Sequence, residues 1–123
     1  MTLEALVAQL RAGVSVWVTW SVRSAIGPGW IGGGREVAVS VGGQALSEGS
    51  PALAVLTKAL IARLAIPAER EDSVLIGEGE LTLDGEQMVL DYEWSDAPVY
   101  EYGTSGDGLV VLMRWRAGEA AEA

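Results

Sequence analysis

LIGEGELTLDGEQMVLDYEW, residues 75 to 94, is the stretch that decides the fold predicted for this chain. Apolar and polar residues alternate on both sides of the central dipeptide Asp84-Gly85, which is typical of two β-strands that each bury one face. Asp-Gly supplies the positive φ angles that a type I′ turn requires. The stretch therefore predicts an antiparallel hairpin.

The alternation in this hairpin gathers acidic side chains on one face. If Leu83 faces Glu86, then Glu78 lies directly opposite Asp91, and like charges in opposed positions destabilise a sheet by about 0.2 to 1 kcal/mol. The predicted acidic face has four members: Glu78, Glu80, Asp91 and Glu93. Because it is unfavourable within the chain, such a face is a candidate for binding a positively charged partner.

Residue spacing in the flanking sequence predicts the other elements. Thr2 and Ser50 are typical N-cap residues, each followed by apolar residues at helical spacing, and Gly13 and Pro67 follow the ends of those helices. The predicted elements, in chain order, are a helix that ends at Gly13, strands at Val14 to Arg23 and Arg35 to Val41, a helix from Ser50 to about Ala65, the two hairpin strands, a loop at Gly103 to Gly108 and a strand at Leu109 to Trp115.

The order α-β-β-α-β-β-β predicts an α+β fold, with a five-stranded, mainly antiparallel sheet and two helices on one face. A chain of 123 residues with 50% hydrophobic content is expected to form a single domain, residues 1–116, followed by a frayed tail, 117–123. Met1 to Arg11 lacks the uninterrupted apolar core of a signal peptide, and Pro51 to Ile66 is too short and too charged to span a membrane. A cytoplasmic protein is expected.

The acidity of the chain is concentrated in one part of the sequence. Residues 69 to 107 contain twelve acidic residues and one basic residue, a net charge of −11, whereas the remainder, with five acidic and seven basic residues, is +2. This asymmetry concerns the partners that a protein attracts more than its fold. A total of −9 argues against direct binding of nucleic acid or of an anionic membrane.

The composition also limits catalysis. The chain has no cysteine and no histidine, so it lacks thiolate nucleophiles, Cys-based zinc sites and the side chain best suited to proton transfer near neutral pH. Residues 27 to 32, GPGWIG, match a dinucleotide-binding pattern, but a strand and not a helix is predicted to follow them. Ser105 has only Lys58 as a basic candidate, and that residue lies on the second predicted helix. No enzymatic activity, cofactor or metal is predicted.

Four interpretations of the acidic face stay open. In the first, Arg114 and Arg116 lie beside it and neutralise it. In the second it faces a partner and imitates a phosphate backbone. In the third it holds a divalent cation, although strand residues two apart are about 6.5 Å apart and do not converge. In the fourth, Glu78 and Asp91 act as the carboxylate couple of a glycosidase.

Aromatic residues extend the expected binding surface, because tyrosine and tryptophan dominate many interfaces. Tyr92 is expected in the core, where it would cover Gly77. The aromatic residues open to either core packing or partner contact are Trp17, Trp30, Tyr100 and Tyr102. The predicted partner-binding residues are Glu78, Glu80, Asp91, Glu93, Asp96, Tyr100, Glu101, Tyr102, Trp17 and Trp30.

These observations predict a non-enzymatic binding protein that occludes a basic site on another protein, one that normally holds nucleic acid. Acidic α+β inhibitors of phages and mobile elements, such as anti-CRISPR and anti-restriction proteins, are similar in size and charge. The alternative is an assembly domain that forms a homo-oligomer through the strand Val37 to Val41 or through Trp17 and Trp30, with the acids serving solubility. A small metal- or carboxylate-dependent hydrolase is the third hypothesis.

Overall fold

The computed structural model describes residues 1–23, 34–68, 73–98 and 103–115, which form two helices and six strands. The elements are α1 (Leu3–Arg11), β1 (Val16–Arg23), β2 (Gly34–Val41), β3 (Gln44–Ala45), α2 (Pro51–Leu64), β4 (Ser73–Asp84), β5 (Gln87–Pro98) and β6 (Thr104–Arg114). The predicted α+β fold with an antiparallel sheet and two helices is confirmed. The predicted tail, 117–123, lies outside the described residues.

The predicted strand count was wrong, because the sheet has six strands and the element order is α-β-β-β-α-β-β-β. The additional strand, β3, pairs Gln44 with Val41 and follows a two-residue turn. Both turn residues, Gly42 and Gly43, have positive φ angles, 57° and 86°. These are the angles of a tight hairpin turn, which glycine adopts readily because it has no side chain.

The six strands lie in the order β3-β2-β1-β4-β5-β6, and all neighbours are antiparallel. Two sequential groups of strands, β1 to β3 and β4 to β6, therefore join along the single pairing of β1 with β4. This pairing places Thr19 opposite Glu78 and Trp17 opposite Glu80. The strand β6 forms one edge of the sheet.

Both helices begin at residues suited to the N-cap position. The Thr2 hydroxyl accepts a hydrogen bond from the Ala5 amide (3.1 Å), and Gly13 follows α1 with a φ angle of 81°. The buried Ser50 hydroxyl accepts from the Leu53 amide (3.5 Å) and donates to the Met1 carbonyl (2.8 Å). These contacts confirm the two predicted N-caps and tie the first residue of the chain to α2.

The helices cover one face of the sheet, called the inner face here, and the core lies between them. Buried residues of α1 and α2 share this core with alternate residues of the strands, among them Val16, Val18, Trp20 and Val22 of β1 and Leu81, Met88 and Leu90 of the hairpin. The opposite face of the sheet is the outer face. Within the described residues, neither helix has the length and apolar character needed to span a membrane.

The register of the β4-β5 hairpin differs from the predicted one by two residues. Asp84 pairs with Gln87, so the turn residues are Gly85 and Glu86, and Leu83 faces Met88. Of the two, only Gly85 has a positive φ angle (61°), which fits a type II′ turn with glycine in its first central position. Because side chains alternate with a period of two, the shift leaves every residue on its predicted face.

The strand β6 begins earlier than predicted. Residues 103 to 108 were interpreted as a loop, but β6 starts at Thr104, and Ser105 and Asp107 pair with Ser95 and Glu93 of β5. Glycines at positions 106 and 108 lie under aromatic rings of the neighbouring strand. The absence of a side chain there is therefore compatible with a strand and does not indicate a turn.

Candidate functional site

The outer face of the sheet carries a cluster of five carboxylates on three adjacent strands. Glu78 of β4 lies directly opposite Glu93 of β5, which lies opposite Asp107 of β6. In the next row Glu80 lies opposite Asp91. Opposed Cβ atoms in an antiparallel sheet are about 5 Å apart. We call this cluster the acidic face; its members are Glu78, Glu80, Asp91, Glu93 and Asp107.

The corrected register makes this face denser in charge than predicted. The predicted register opposed Glu78 to Asp91 and Glu80 to Val89, whereas the structure opposes acid to acid in both rows. Sequence reasoning missed Asp107, because the surrounding glycines suggested a loop. The signal that identifies it is the period-two series Ser105, Asp107, Leu109, which places it on the outer face.

The described arginines of the outer face do not neutralise these acids. Arg114 lies opposite Gln87, four residues along β5 from Asp91, which corresponds to about 13 Å. Arg23 lies four residues along β1 from Thr19, the partner of Glu78. Within the described part of the chain, no ion pair links the acidic face to a lysine or an arginine. Arg116, the other predicted counter-charge, lies outside the described residues.

A surface depression of about 490 Å³ lies at one end of the acidic face, beside the row of Glu78, Glu93 and Asp107. Its walls include three acids, two serines and an exposed isoleucine: Glu78, Glu93, Asp107, Ser95, Ser105 and Ile76. A depression of this size can admit a side chain of a partner, and its carboxylates favour a positively charged one.

The arrangement does not resemble a metal site. Among the described residues, no group of three acidic side chains converges closely enough to hold a cation. The couple that a glycosidase would need is also differently placed, because Glu78 and Asp91 lie in adjacent rows and not opposite each other. Glu78 instead lies opposite Glu93.

The other predicted binding residues have different positions. Trp17 is 39% exposed and lies opposite Glu80, so its indole borders the acidic face. Asp96, also predicted to bind the partner, alternates onto the inner face, where it lines a cavity. Four predicted members lie outside the described residues: Trp30, Tyr100, Glu101 and Tyr102.

Apolar side chains on the outer face lie next to the acids. Leu109 lies opposite Asp91 and is 69% exposed, and Ile76 is 52% exposed. Together with Trp17 they form an apolar border on both sides of the acidic face. Interfaces commonly combine such apolar contacts, which supply affinity, with charges that select the partner.

On the inner face, aromatic rings cover glycines of the adjacent strands. The Trp20 indole lies over Gly77, so a methyl group added to that glycine would overlap the ring. Tyr92 was predicted to cover Gly77 but covers Gly108 instead. A methyl group added to Gly108 would be 2.7 Å from the phenol oxygen of Tyr92. The two-residue register shift is the cause.

No protein-family model matches this chain, and no curated protein or solved structure is significantly similar to it. The geometry of the site is therefore the basis for the proposals that follow.

Proposed function

We propose that this chain is a non-enzymatic binding protein whose acidic face occupies a basic site on another protein. The observation that carries the proposal is the three-strand row of Glu78, Glu93 and Asp107, which has no described cation beside it. Directly opposed like charges destabilise an isolated sheet, and a basic partner would remove that repulsion. The acids would therefore be more favourable in the complex than in the free chain.

The partner class that fits best is a protein whose basic surface normally holds nucleic acid. Such surfaces carry lysines and arginines at the spacing of phosphates. A planar array of carboxylates can take the place of those phosphates. The chain would then act as an inhibitor by steric and electrostatic occlusion. The apolar border of Trp17, Ile76 and Leu109 would contribute affinity that is independent of salt.

The test is capture of partners from a lysate of the source cells by the immobilised chain, compared with the double variant Glu78→Gln/Glu93→Gln. We expect the variant to capture at least about tenfold less partner than the unaltered chain, because it lacks both charges of a directly opposed pair. Capture by the unaltered chain should also weaken between low and moderate salt, since exposed charges are screened over about 10 Å at 0.1 M. Mass spectrometry would identify the captured protein.

Glu4→Gln/Glu48→Gln is the matched control, because it changes the net charge equally but alters acids outside the acidic face. This control should capture as much partner as the unaltered chain. Thermal unfolding should show Glu78→Gln/Glu93→Gln to be as stable as the unaltered chain or slightly more so, because a repulsion is removed. Equal capture by both double variants would contradict the proposal.

Displacement of the captured protein by an oligonucleotide would indicate that the occupied site is one that binds nucleic acid.

The open edge of β6 favours a second candidate function, self-assembly. Among the described strands β6 pairs only with β5, although it is eleven residues long and exposes Leu109. The edge at β2 is less accessible than predicted, because β3 pairs with Ser40 and Val41. Long open edges are common sites of strand addition between chains.

Light scattering of the purified chain tests this second candidate. If β6 pairs with a second copy, the protein should be a dimer, and Leu109→Lys should shift it to monomer without loss of folding. A monomeric unaltered protein at high concentration would exclude assembly through this edge. The acidic-face proposal does not depend on that outcome.

A further inference from the structure

We propose that the cavity between the end of α2 and the inner face of the sheet binds a small organic cation that carries a methylated ammonium group. The cavity has a volume of about 290 Å³ and lies on the side of the sheet opposite the acidic face. This volume is just below the usual range for small-molecule sites, about 300 to 1,000 Å³. A ligand of few atoms therefore fits it.

Three aromatic rings form much of the cavity wall: Trp20, Tyr92 and Trp94. The ring centres of Trp20 and Tyr92 are 5.9 Å apart, and the ring planes are inclined by 59°. Rings that meet at an angle around a cavity present more than one π-face to the same ligand. The faces of aromatic rings carry partial negative charge, and sites for methylated ammonium groups are commonly built from them.

Glycines allow these rings to lie close to the sheet and so leave room above it. The Trp20 ring lies over Gly77, and a methyl group on Gly106 would be 2.9 to 3.0 Å from three atoms of the Trp94 indole. A side chain at either position would displace the ring into the cavity. The cavity therefore depends on a specific pairing of ring with glycine across the strands.

The other lining groups favour a positive charge over a neutral or negative one. Asp96 contributes a carboxylate, and no lysine or arginine is among the described residues that line the cavity. Leu64 and Ala65 place the C-terminal end of α2 at the cavity, and a helix C-terminus carries partial negative charge. The Arg35 guanidinium donates to the Ile66 carbonyl (3.0 Å) and offsets part of the negative charge at this helix end, so the attraction for a cation comes mainly from the aromatic rings and Asp96.

The remaining lining residues are apolar and suit the methyl groups of such a cation. Leu75 and Pro67 lie beside the rings, so the cavity combines apolar contact with negative electrostatic potential. A strongly hydrated ion such as Na⁺ would lose its water and gain few oxygen ligands in return, because Asp96 is the one carboxylate among the described lining residues. A methylated ammonium group is weakly hydrated and loses much less, which distinguishes it from an inorganic ion.

Choline and its uncharged isostere 3,3-dimethyl-1-butanol are the probes for this proposal, measured by titration calorimetry with the full chain. We expect choline to bind with a Kd of about 1 mM or below. The isostere, which has the same shape without the charge, should bind at least about tenfold more weakly. Equal affinity for the two probes would overturn the proposal. So would the absence of choline binding at choline concentrations well above about 1 mM.

Variants in the cavity and on the opposite face locate the binding. Trp94→Leu and Asp96→Asn should each weaken choline binding by about tenfold, whereas Trp94→Phe should keep most of it. Trp17→Leu removes a tryptophan from the outer face and should leave choline binding unchanged. Thermal unfolding shows whether each variant is folded, and unchanged affinity in folded Trp94→Leu would overturn the assignment to this cavity.

A third measurement distinguishes a free small molecule from a modified protein as the source of the cation. A short peptide that contains trimethyllysine is titrated beside its unmodified counterpart. Tighter binding of the trimethylated peptide than of choline would assign the site to a modified protein, and weaker binding would assign it to a free small cation. The Glu78→Gln/Glu93→Gln variant should bind choline normally, so this result is independent of the acidic face.

Discussion

Gly77→Ala is expected to lower the free energy of unfolding by about 3 kcal/mol, the upper part of the range for an overpacked core. An added methyl group at Gly77 would overlap atoms of the Trp20 indole, which is only 3% exposed. Moving the ring off the added methyl group would break its packing in the core between the sheet and the helices and push it into the cavity that it lines. For a domain of this size, the loss corresponds to a decrease in Tm of roughly 10 °C.

Urea unfolding of a double-mutant cycle with Trp20→Leu would verify the cause. In the Trp20→Leu background the methyl group has space, so Gly77→Ala should cost less than about 1 kcal/mol there. Gly34→Ala is the control for an alanine in a strand, because no atom lies within 4 Å of the added methyl group. Its effect should stay within about 0.5 kcal/mol. An equal cost of Gly77→Ala in both backgrounds would show that the ring contact is not responsible.

Gly79→Ala is expected to destabilise the protein by about 3 kcal/mol or more, for a different reason. Its methyl group would be 2.5 Å from the Asp91 carbonyl oxygen and 2.9 Å from the Tyr92 Cβ atom. A carbonyl oxygen cannot rotate away as a side chain can, so β4 and β5 would have to separate. The measurement is again urea unfolding with Gly34→Ala as the control.

The contrast between the two glycines is itself a test. Tyr92→Leu removes the ring but keeps the Cβ atom and the Asp91 carbonyl in place, so it should not rescue Gly79→Ala. Near-additive costs of Gly79→Ala and Tyr92→Leu are therefore expected, unlike the strong coupling between Gly77 and Trp20. Rescue by Tyr92→Leu would contradict the backbone explanation.

The sequence was sufficient to predict the fold class, the helix boundaries and the face on which each hairpin residue lies. Alternation with a period of two determines the face independently of the register. The register itself depends on which two residues form the turn, and the conformation of Gly85 moved it by two positions. For that reason Glu78 was assigned to the correct face but to the wrong partner.

The composition of the candidate site depended on contacts between distant strands, which no local pattern contains. Asp107 joins the acidic face only because β6 continues through its glycines, and those glycines lie under rings of β5. The position of Arg114 depends on the irregular pairing near Met88 and Val89, where β6 contains an additional residue. The inner cavity likewise requires β1 to lie beside β4, a pairing between residues far apart in the sequence.

The alternation of glycine and glutamate in β4 also determines which sheet the chain can form. A slip of β5 by one residue would turn Asp91 and Glu93 towards the helices, and each unpaired buried charge would cost several kcal/mol. The repulsion between these acids in the correct sheet is small by comparison, about 0.2 to 1 kcal/mol for an opposed pair. The carboxylates thus disfavour misregistered sheets more strongly than they destabilise the native one, and they would serve this purpose even in the absence of a partner.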